Sequence, residues 1–424
     1  MSEPTSPNLE KQIQLLAKQA RASARPLGRA SAEIRTAAII AMADELLNSR
    51  ETVEEANLKD LEAAKERGLS TAMCNRLELT GEQIDNLANA LREIADAADP
   101  VGTTTRRWTR DNGLEVSKVR LPLGVILMIY ESRPNVTLDA AALCVRSGNV
   151  AILRGGSEAT HTNRALNQIV QDALRSAGLP ATAVQLVPTQ DRSAVDILLT
   201  QDEYIDLVIP RGGETLIRHV ARNSRIPVVQ HYKGICHVFV DQSADQAKAL
   251  LIAENAKTHR PGVCNAMETL LVHRDIASEF VPQVVAVLQK RGVEIRGCET
   301  ACNLVPTLKS ASPEDWDTEF LDLILALRVV DGIEEAIDHI DAHGSNHTAS
   351  IIAEDSETAE RFTKEIDASC VMINASTRFN DGGELGLGAE MGISTTRIHA
   401  YGPMGVEALT AEKFVVVGTG QIRK

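Results

Sequence analysis

No apolar run in this 424-residue chain approaches the roughly 20 residues that a bilayer-crossing helix requires, so no membrane span is expected. The opening residues, Met1-Ser-Glu-Pro-Thr-Ser-Pro7, lack the basic segment followed by an apolar one that marks a secretory leader. Low-complexity tracts are missing as well, and 44% hydrophobic with 24% charged residues is a globular composition. The seven cysteines are odd in number and scattered, which argues against a disulfide framework and for a reducing, cytoplasmic setting. Only Cys298 and Cys302 lie close together, without a second pair or a histidine motif at zinc-binding spacing, so no metal is expected. An excess of positive charge is absent too. The net charge of -14 and a pI near 5.3 argue against nucleic acid or an anionic membrane as the main partner, and leave room for a local basic pocket. Neither G-x-G-x-x-G nor G-x-x-x-x-G-K-[ST] occurs, so any nucleotide site is built without the ordinary Rossmann or P-loop fingerprint.

A chain of this length holds about two or three domains. From about Leu9 to Ala98 it reads helical, with Ile84, Leu87, Leu91 and Ile94 at helical spacing behind a Thr80/Gln83 capping box. Residues 103–121 alternate on both sides of Asp111-Asn-Gly113, the pattern of a β-hairpin. With so few apolar residues that hairpin is marginal alone, so it is expected to protrude and pair, for instance with another subunit. From Gly124 onward, strand-like and helix-like runs alternate with short connections, which is how a parallel sheet with helices on both faces is written. Ligands of such sheets lie at the carboxyl ends of the strands. Those ends read Tyr130-Glu-Ser-Arg-Pro-Asn135, Arg154-Gly-Gly-Ser157 and Pro210-Arg-Gly-Gly213. Glycine lets backbone amides approach a phosphate and arginine grips one with two N–H groups, so the two Arg-Gly-Gly turns point to a nucleotide crevice. The plain alternative is two tight turns carrying solvated arginines.

The alternation restarts near Val238 and runs to a strand at 370–373, a second α/β unit that carries Cys264. This cysteine sits in the loop Pro261-Gly-Val-Cys264 between a helical run and a strand-like run, with Lys257, His259 and Arg260 before it. A cationic neighbourhood favours the thiolate, the nucleophilic form; the competing reading is a structural loop thiol. A nucleophile between two such domains suits a cleft enzyme. Beyond residue 373 the chain is too rich in Gly, Asn, Ser and Thr for a core element and too long for an idle connector, and Arg378 is its evident anion ligand. Phe414-Val-Val-Val417 closes the chain as a strand able to pair with the Trp108 hairpin.

The strings RPNVT (133–137), ILRGG (152–156), IPRGG (209–213), NAKTHRPGVCN (255–265), NASTRF (374–379), GLGAEMGIST (386–395) and HAYGPMG (399–405) follow one another in consistent order. From about residue 10 to the C-terminus the chain resembles the gamma-glutamyl phosphate reductases, also called glutamate-5-semialdehyde dehydrogenases, within the aldehyde dehydrogenase superfamily. AIDHIDAHGSNHTASI (336–351) fits that family too, although Ala349 stands where an acidic or polar residue is usual, and Tyr401 where arginine is usual. The resemblance implies an α/β, aldehyde-dehydrogenase-like fold of two parallel-sheet domains plus a small β oligomerisation element. The cofactor domain would take residues 1–102 and 118–232, the catalytic domain 233–373, a substrate loop region 374–400, and the oligomerisation element 103–117 and 401–424. It further implies NADPH-dependent reduction of L-glutamate 5-phosphate to L-glutamate 5-semialdehyde and phosphate, the second step from glutamate to proline. A homo-oligomer is implied, with transient coupling to glutamate 5-kinase; the rival activity is oxidation of a free aldehyde.

Residue by residue, the resemblance makes Cys264 the nucleophile that holds a thioester, with its own N–H and Ser132 or Asn135 as oxyanion donors. Arg154, Gly155 and Gly156, together with Pro210, Arg211, Gly212 and Gly213, would bind the cofactor, and Glu319 the nicotinamide ribose. Ser157 stands where NAD-preferring relatives often carry glutamate, which leaves a 2'-phosphate tolerated. Arg133, Arg260, Ser376 and Arg378 are unranked candidates for the substrate's carboxylate and phosphate. Aldehyde-oxidising relatives activate water with the glutamate of an E-L-G-G-K segment. Here the matching stretch, Val229-Gln-His-Tyr-Lys-Gly234, has no carboxylate, as suits a reductase that keeps its thioester from water.

Overall fold

A computed structural model describes residues 7–230 and 233–423, so His231 and Tyr232 of the Val229–Gly234 stretch lie outside the described residues. Contacts divide the chain into one unit of Met1–Gln230, Leu387–Gly392 and Met404–Lys424, and a second of His231–Gly386 and Ile393–Pro403. The hairpin and the C-terminal strand are part of the first unit.

The first unit opens with five helices between Pro7 and Asp96. Thr80 and Gln83 cap the last of them reciprocally, the Gln83 side chain accepting Thr80 N–H at 2.7 Å and Thr80 Oγ1 accepting Gln83 N–H at 3.3 Å. Such a cap stabilises a helix by about 1 kcal/mol. Ile84, Leu87, Leu91 and Ile94 turn inward from one face of it. A four-stranded parallel sheet follows in the order Val184–Leu186, Val150–Gly155, Val125–Tyr130, Leu207–Arg211. Every residue of Val125–Tyr130 is buried, as a central strand covered on both faces should be. Three successive carboxyl ends therefore lie side by side, at Tyr130, Gly155 and Arg211.

Thr104–Thr109 and Glu115–Pro122 form the antiparallel hairpin, turning through Gly113 at φ 84, where glycine alone is unstrained. The C-terminal strand Thr410–Val417 joins through the second hairpin strand, and the Trp108 and Phe414 rings meet edge-on at 6.2 Å. Most residues of Thr104–Thr109 and Thr410–Val417 are exposed.

In the second unit seven parallel strands run in the order Lys309–Ser310, Glu294–Gly297, Ile324–Val330, Met267–His273, Cys236–Val240, Thr348–Ile352, Cys370–Ile373. Two apolar clusters pack against this sheet, one around Phe280, Leu270 and Leu325, the other around Phe239, Ile351 and Phe362. Burying each such side chain stabilises the fold by about 1.5–3 kcal/mol. The helix Gln246–Thr258, capped by Asp245, runs on to Thr258 because no breaker intervenes before Pro261-Gly262, and this carries Lys257 onto the helix. Its exit loop brings Cys264 to the amino end of Met267–His273, beside the amino end of Cys236–Val240. Among the described residues no helix is long and apolar enough to cross a membrane, and no group of three His, Cys, Asp or Glu is placed to hold a metal.

Candidate active site

Cys264 is half-buried in an irregular loop braced from several sides. Gly234 backs onto it so closely that a Cβ there would stand 2.1 Å from the Cys264 carbonyl oxygen and 2.7 Å from its Cα. Only glycine permits that approach. The Gly234 N–H donates to Glu319 Oε1 at 2.9 Å, and the Cys236 thiol donates to the Cys264 carbonyl oxygen at 3.1 Å. Burial holds the Cys236 thiol well above the ordinary thiol range, so it stays protonated and serves as that donor. On the other side, the buried Asn265 amide donates to the backbone oxygens of Asn380, at 3.0 Å, and Arg378, at 3.4 Å. The sequence reading passed over Asn265, although an amide adjoining the nucleophile was the available signal.

Those bonds bring the glycine-rich segment against the cysteine loop. Ser376, itself buried, accepts Arg378 N–H at 3.3 Å and so shapes the turn that presents the guanidinium. Arg378 Nε donates to His259 Nδ1 at 3.4 Å. Burial weakens the basicity of Arg378 most and nearby Arg260 weakens it further, whereas Asp381 and the Cys264 thiol oppose both. Cys264, Arg260, Ser376, Arg378 and Glu319 are thus gathered in this unit, with two guanidinium groups in one neighbourhood. Lys257 does not join them as a thiolate-stabilising cation. It is fully buried and paired with Glu268, Nζ to Oε2 at 2.6 Å, because the helix turns it inward rather than toward the loop.

The first unit holds the remaining candidates. Ser132, at φ 46, directs its hydroxyl to Glu158 Oε1 at 3.0 Å, and its N–H goes to the same oxygen. Asn135 donates from Nδ2 to Asp139 Oδ2 at 2.8 Å. A serine has one proton to give, whereas an asparagine amide has two, so Asn135 keeps a second N–H after serving Asp139. Burial pushes the Asp139 carboxyl up to about 6, against the opposing effects of Asn135 and Arg211. Arg133 is exposed.

Arg154 bridges Gly155 O at 2.7 Å and Gln190 O at 3.2 Å, and burial lowers its basicity with Arg192 adding to the effect. Ser157 is exposed in the turn that follows. A Cβ on Gly156 would lie 2.1 Å from Glu158 Oε1, one on Gly155 2.1 Å from Asn163 Nδ2, and one on Gly212 2.3 Å from Glu131 Oε2. Gly213 N–H donates to Glu131 Oε2 at 3.0 Å, which sets a carboxylate oxygen at the start of the helix Glu214–Asn223, where the helix dipole favours an anion. Glycine turns at the carboxyl ends of the two strands that flank Val125–Tyr130, following Pro210 and Arg211 in one case and Arg154 in the other, fit a dinucleotide laid across them. Glu131, inside the Tyr130–Asn135 strand end, and Glu158, one residue past the Arg154–Ser157 turn, carry no role in the sequence because their partners Gly213 and Ser132 lie far along the chain.

The model of the aldehyde dehydrogenase family matches residues 7–314. A gamma-glutamyl phosphate reductase from Desulfatibacillum aliphaticivorans is 57% identical over 408 residues, 96% of this chain and 98% of that protein. The crystal structure of the gamma-glutamyl phosphate reductase of Thermotoga maritima, 44% identical, matches with a TM-score of 0.96 over 97% of this chain and 100% of that one. An acetylating aldehyde dehydrogenase from Geobacillus thermoglucosidasius, 19% identical, shares the fold with a TM-score of 0.72 over 98% of both chains.

Proposed function

The chain belongs to the aldehyde dehydrogenase family, and from that premise we propose that it reduces gamma-glutamyl phosphate to glutamate 5-semialdehyde, with release of phosphate, through an acyl group held on Cys264. One observation carries this reading. The two carboxylates that act on the buried Cys236 thiol, beneath the Cys264 carbonyl, are held in place, Glu319 through Oε1 by Gly234 N–H and Glu268 by Lys257 and Leu321 N–H. The Val229–Gly234 stretch, where aldehyde-oxidising relatives carry the glutamate that activates water against the thioester, contains no carboxylate.

The thiolate of Cys264 adds to the acyl-phosphate carbonyl; the C–S bond forms, the C–O bond to phosphate breaks, and phosphate leaves with the electron pair. Arg260 and Arg378 hold the anionic groups of the substrate, and the Cys264 N–H with the second N–H of Asn135 receives the oxyanion. Arg154, Gly155, Gly156, Pro210, Arg211, Gly212 and Gly213 hold the nicotinamide cofactor of the family, and Glu319 its ribose. When bound, the dinucleotide supplies the hydride that lowers the thioester to the aldehyde level. Breaking the C–S bond then returns the thiolate of Cys264.

NADPH is the form these residues favour. Ser157 offers no carboxylate against a 2'-phosphate, Glu158 is engaged by Ser132, and Arg192 lies near Arg154. The exposed three-stranded sheet serves a homo-oligomer, and coupling to glutamate 5-kinase would hand over a labile acyl phosphate. The test is a coupled assay with freshly made gamma-glutamyl phosphate. One phosphate released per NADPH oxidised is expected, whereas oxidation of a free aldehyde without phosphate would point to the rival activity.

A further inference from the structure

Lys257 and Glu268 form an ion pair in which both side chains are 0% exposed. Burial pushes the Glu268 carboxyl up and the Lys257 ammonium down, and two charges withdrawn from water gain little over an apolar pair of like volume. Stability alone therefore does not account for the pair. Its contacts suggest another use. Lys257 lies in the last turn of the helix entering the Cys264 loop, and Glu268 is the second residue of the strand leaving it. The other carboxylate oxygen of Glu268 accepts Leu321 N–H at 3.2 Å, and Leu321 is held at φ 53, which leucine disfavours. Lys257 Nζ also stands 6.0 Å over the Phe320 ring. One buried pair thus clasps both stems of the cysteine loop and the turn at 319–321. That turn presents Glu319, whose carboxylate holds Gly234 against the Cys264 peptide.

We propose that Lys257 and Glu268 are positioning residues that fix Cys264 and Glu319 in one relation, so that the acyl group and the cofactor ribose are presented together for reduction. This rests on the function proposed above. The double variant Lys257→Met with Glu268→Leu keeps the core filled while removing the acceptor of Leu321 N–H. Its Tm is expected to stay within a few degrees of wild type and its KM for gamma-glutamyl phosphate within about threefold, while kcat falls at least about 30-fold. The loss falls on hydride transfer, so the primary deuterium isotope effect with NADPH labelled at the transferred position rises. A pair that is only structural gives back kcat whenever the fold is kept, and a folded double variant with kcat within about threefold of wild type overturns the proposal. Glu268→Asp covers the case in which the double variant does not fold, since it keeps the charge but draws the carboxylate back from Leu321. It is expected to lower kcat about tenfold at unchanged KM, and an unchanged kcat again overturns the proposal. Alkylation of Cys264 by iodoacetamide needs no substrate; its rate at fixed pH should change at least about threefold in either folded variant as the loop shifts, and an unchanged rate contradicts the positioning role. A wild-type chain that alkylates with the expected contrast to the variants but leaves gamma-glutamyl phosphate unreduced refutes the proposed function and not the pair.

Discussion

Gly234→Ala is the smallest change that strikes the site directly. The added methyl carbon would fall 2.1 Å from the Cys264 carbonyl oxygen and 2.7 Å from both its carbonyl carbon and its Cα, where ordinary contact begins at 3.4 Å. The shortfall exceeds an ångström, and the atoms met are backbone, so no side chain can swing aside to absorb it. Either the cysteine loop or the Gly234 segment must move, and the latter carries the N–H that Glu319 accepts. Overpacking of this kind costs about 1–3 kcal/mol, so Tm should fall measurably with the protein still folded. A displacement of about 1 Å at a reacting atom costs on the order of 100-fold in rate, which is the expected drop in kcat. The Arg154 and Arg211 turns belong to the other unit, so NADPH affinity can change only through Glu319, whose Gly234 contact is disturbed, and should weaken by no more than about tenfold. Steady-state NADPH oxidation with gamma-glutamyl phosphate, beside a thermal melt and an NADPH fluorescence titration, reads all three quantities. A kcat within about threefold of wild type would falsify the claim that this glycine sets the position of the nucleophile.

Three further outcomes follow from the same geometry. Asn135→Ala should lower kcat about 100- to 1,000-fold, while Ser132→Ala, whose hydroxyl already serves Glu158, should cost less than about fivefold; the reverse order in steady-state kinetics would transfer the oxyanion role to Ser132. Arg378→Ala should raise the substrate KM at least about tenfold with a smaller change in kcat, and an unmoved KM would leave Arg260 or Arg133 as the anion ligand. Asp139 has its folded pKa raised to about 6 from 3.8, so the fold favours its protonated form. Its contribution to stability is present below about pH 4 and is lost as pH rises through about 6, so the Tm of wild type relative to Asp139→Asn should fall across that window. Protonation also turns the ionised acceptor of Asn135 into a weaker neutral one, so kcat should show an acid limb near pH 6 that Asp139→Asn lacks, and identical profiles would separate this carboxyl from catalysis.

The order of elements was legible because the hydrophobic runs are long and the punctuation clear. Val125–Tyr130 is a continuous apolar run between Gly124 and Glu131, and Asn112-Gly113 marks the hairpin turn. Boundaries were less legible where a polar side chain continues an element, as at Lys257, whose inward turn depends on Glu268 eleven residues later. A charged residue beside a reactive cysteine looks like an electrostatic neighbour until folding gives it a partner. The carboxyl-end rule located the Arg-Gly-Gly turns, yet Cys264 lies at the amino end of its strand, where that rule does not look; its loop motif identified it instead. Glu131 and Glu158 act through hydrogen bonds to backbone or to residues far along the chain, and such pairings have no short-range signature.

The central claim is that Cys264 carries the acyl group and keeps it until hydride arrives. Rapid acid quench of the enzyme with gamma-glutamyl phosphate in the absence of reduced cofactor tests it most directly. The account predicts a fast burst of phosphate close to one per active chain, a glutamyl mass increment on the peptide containing Cys264, and neither in Cys264→Ala. A burst without an adduct on that peptide, or substantial NADPH-dependent turnover by Cys264→Ala, would contradict it.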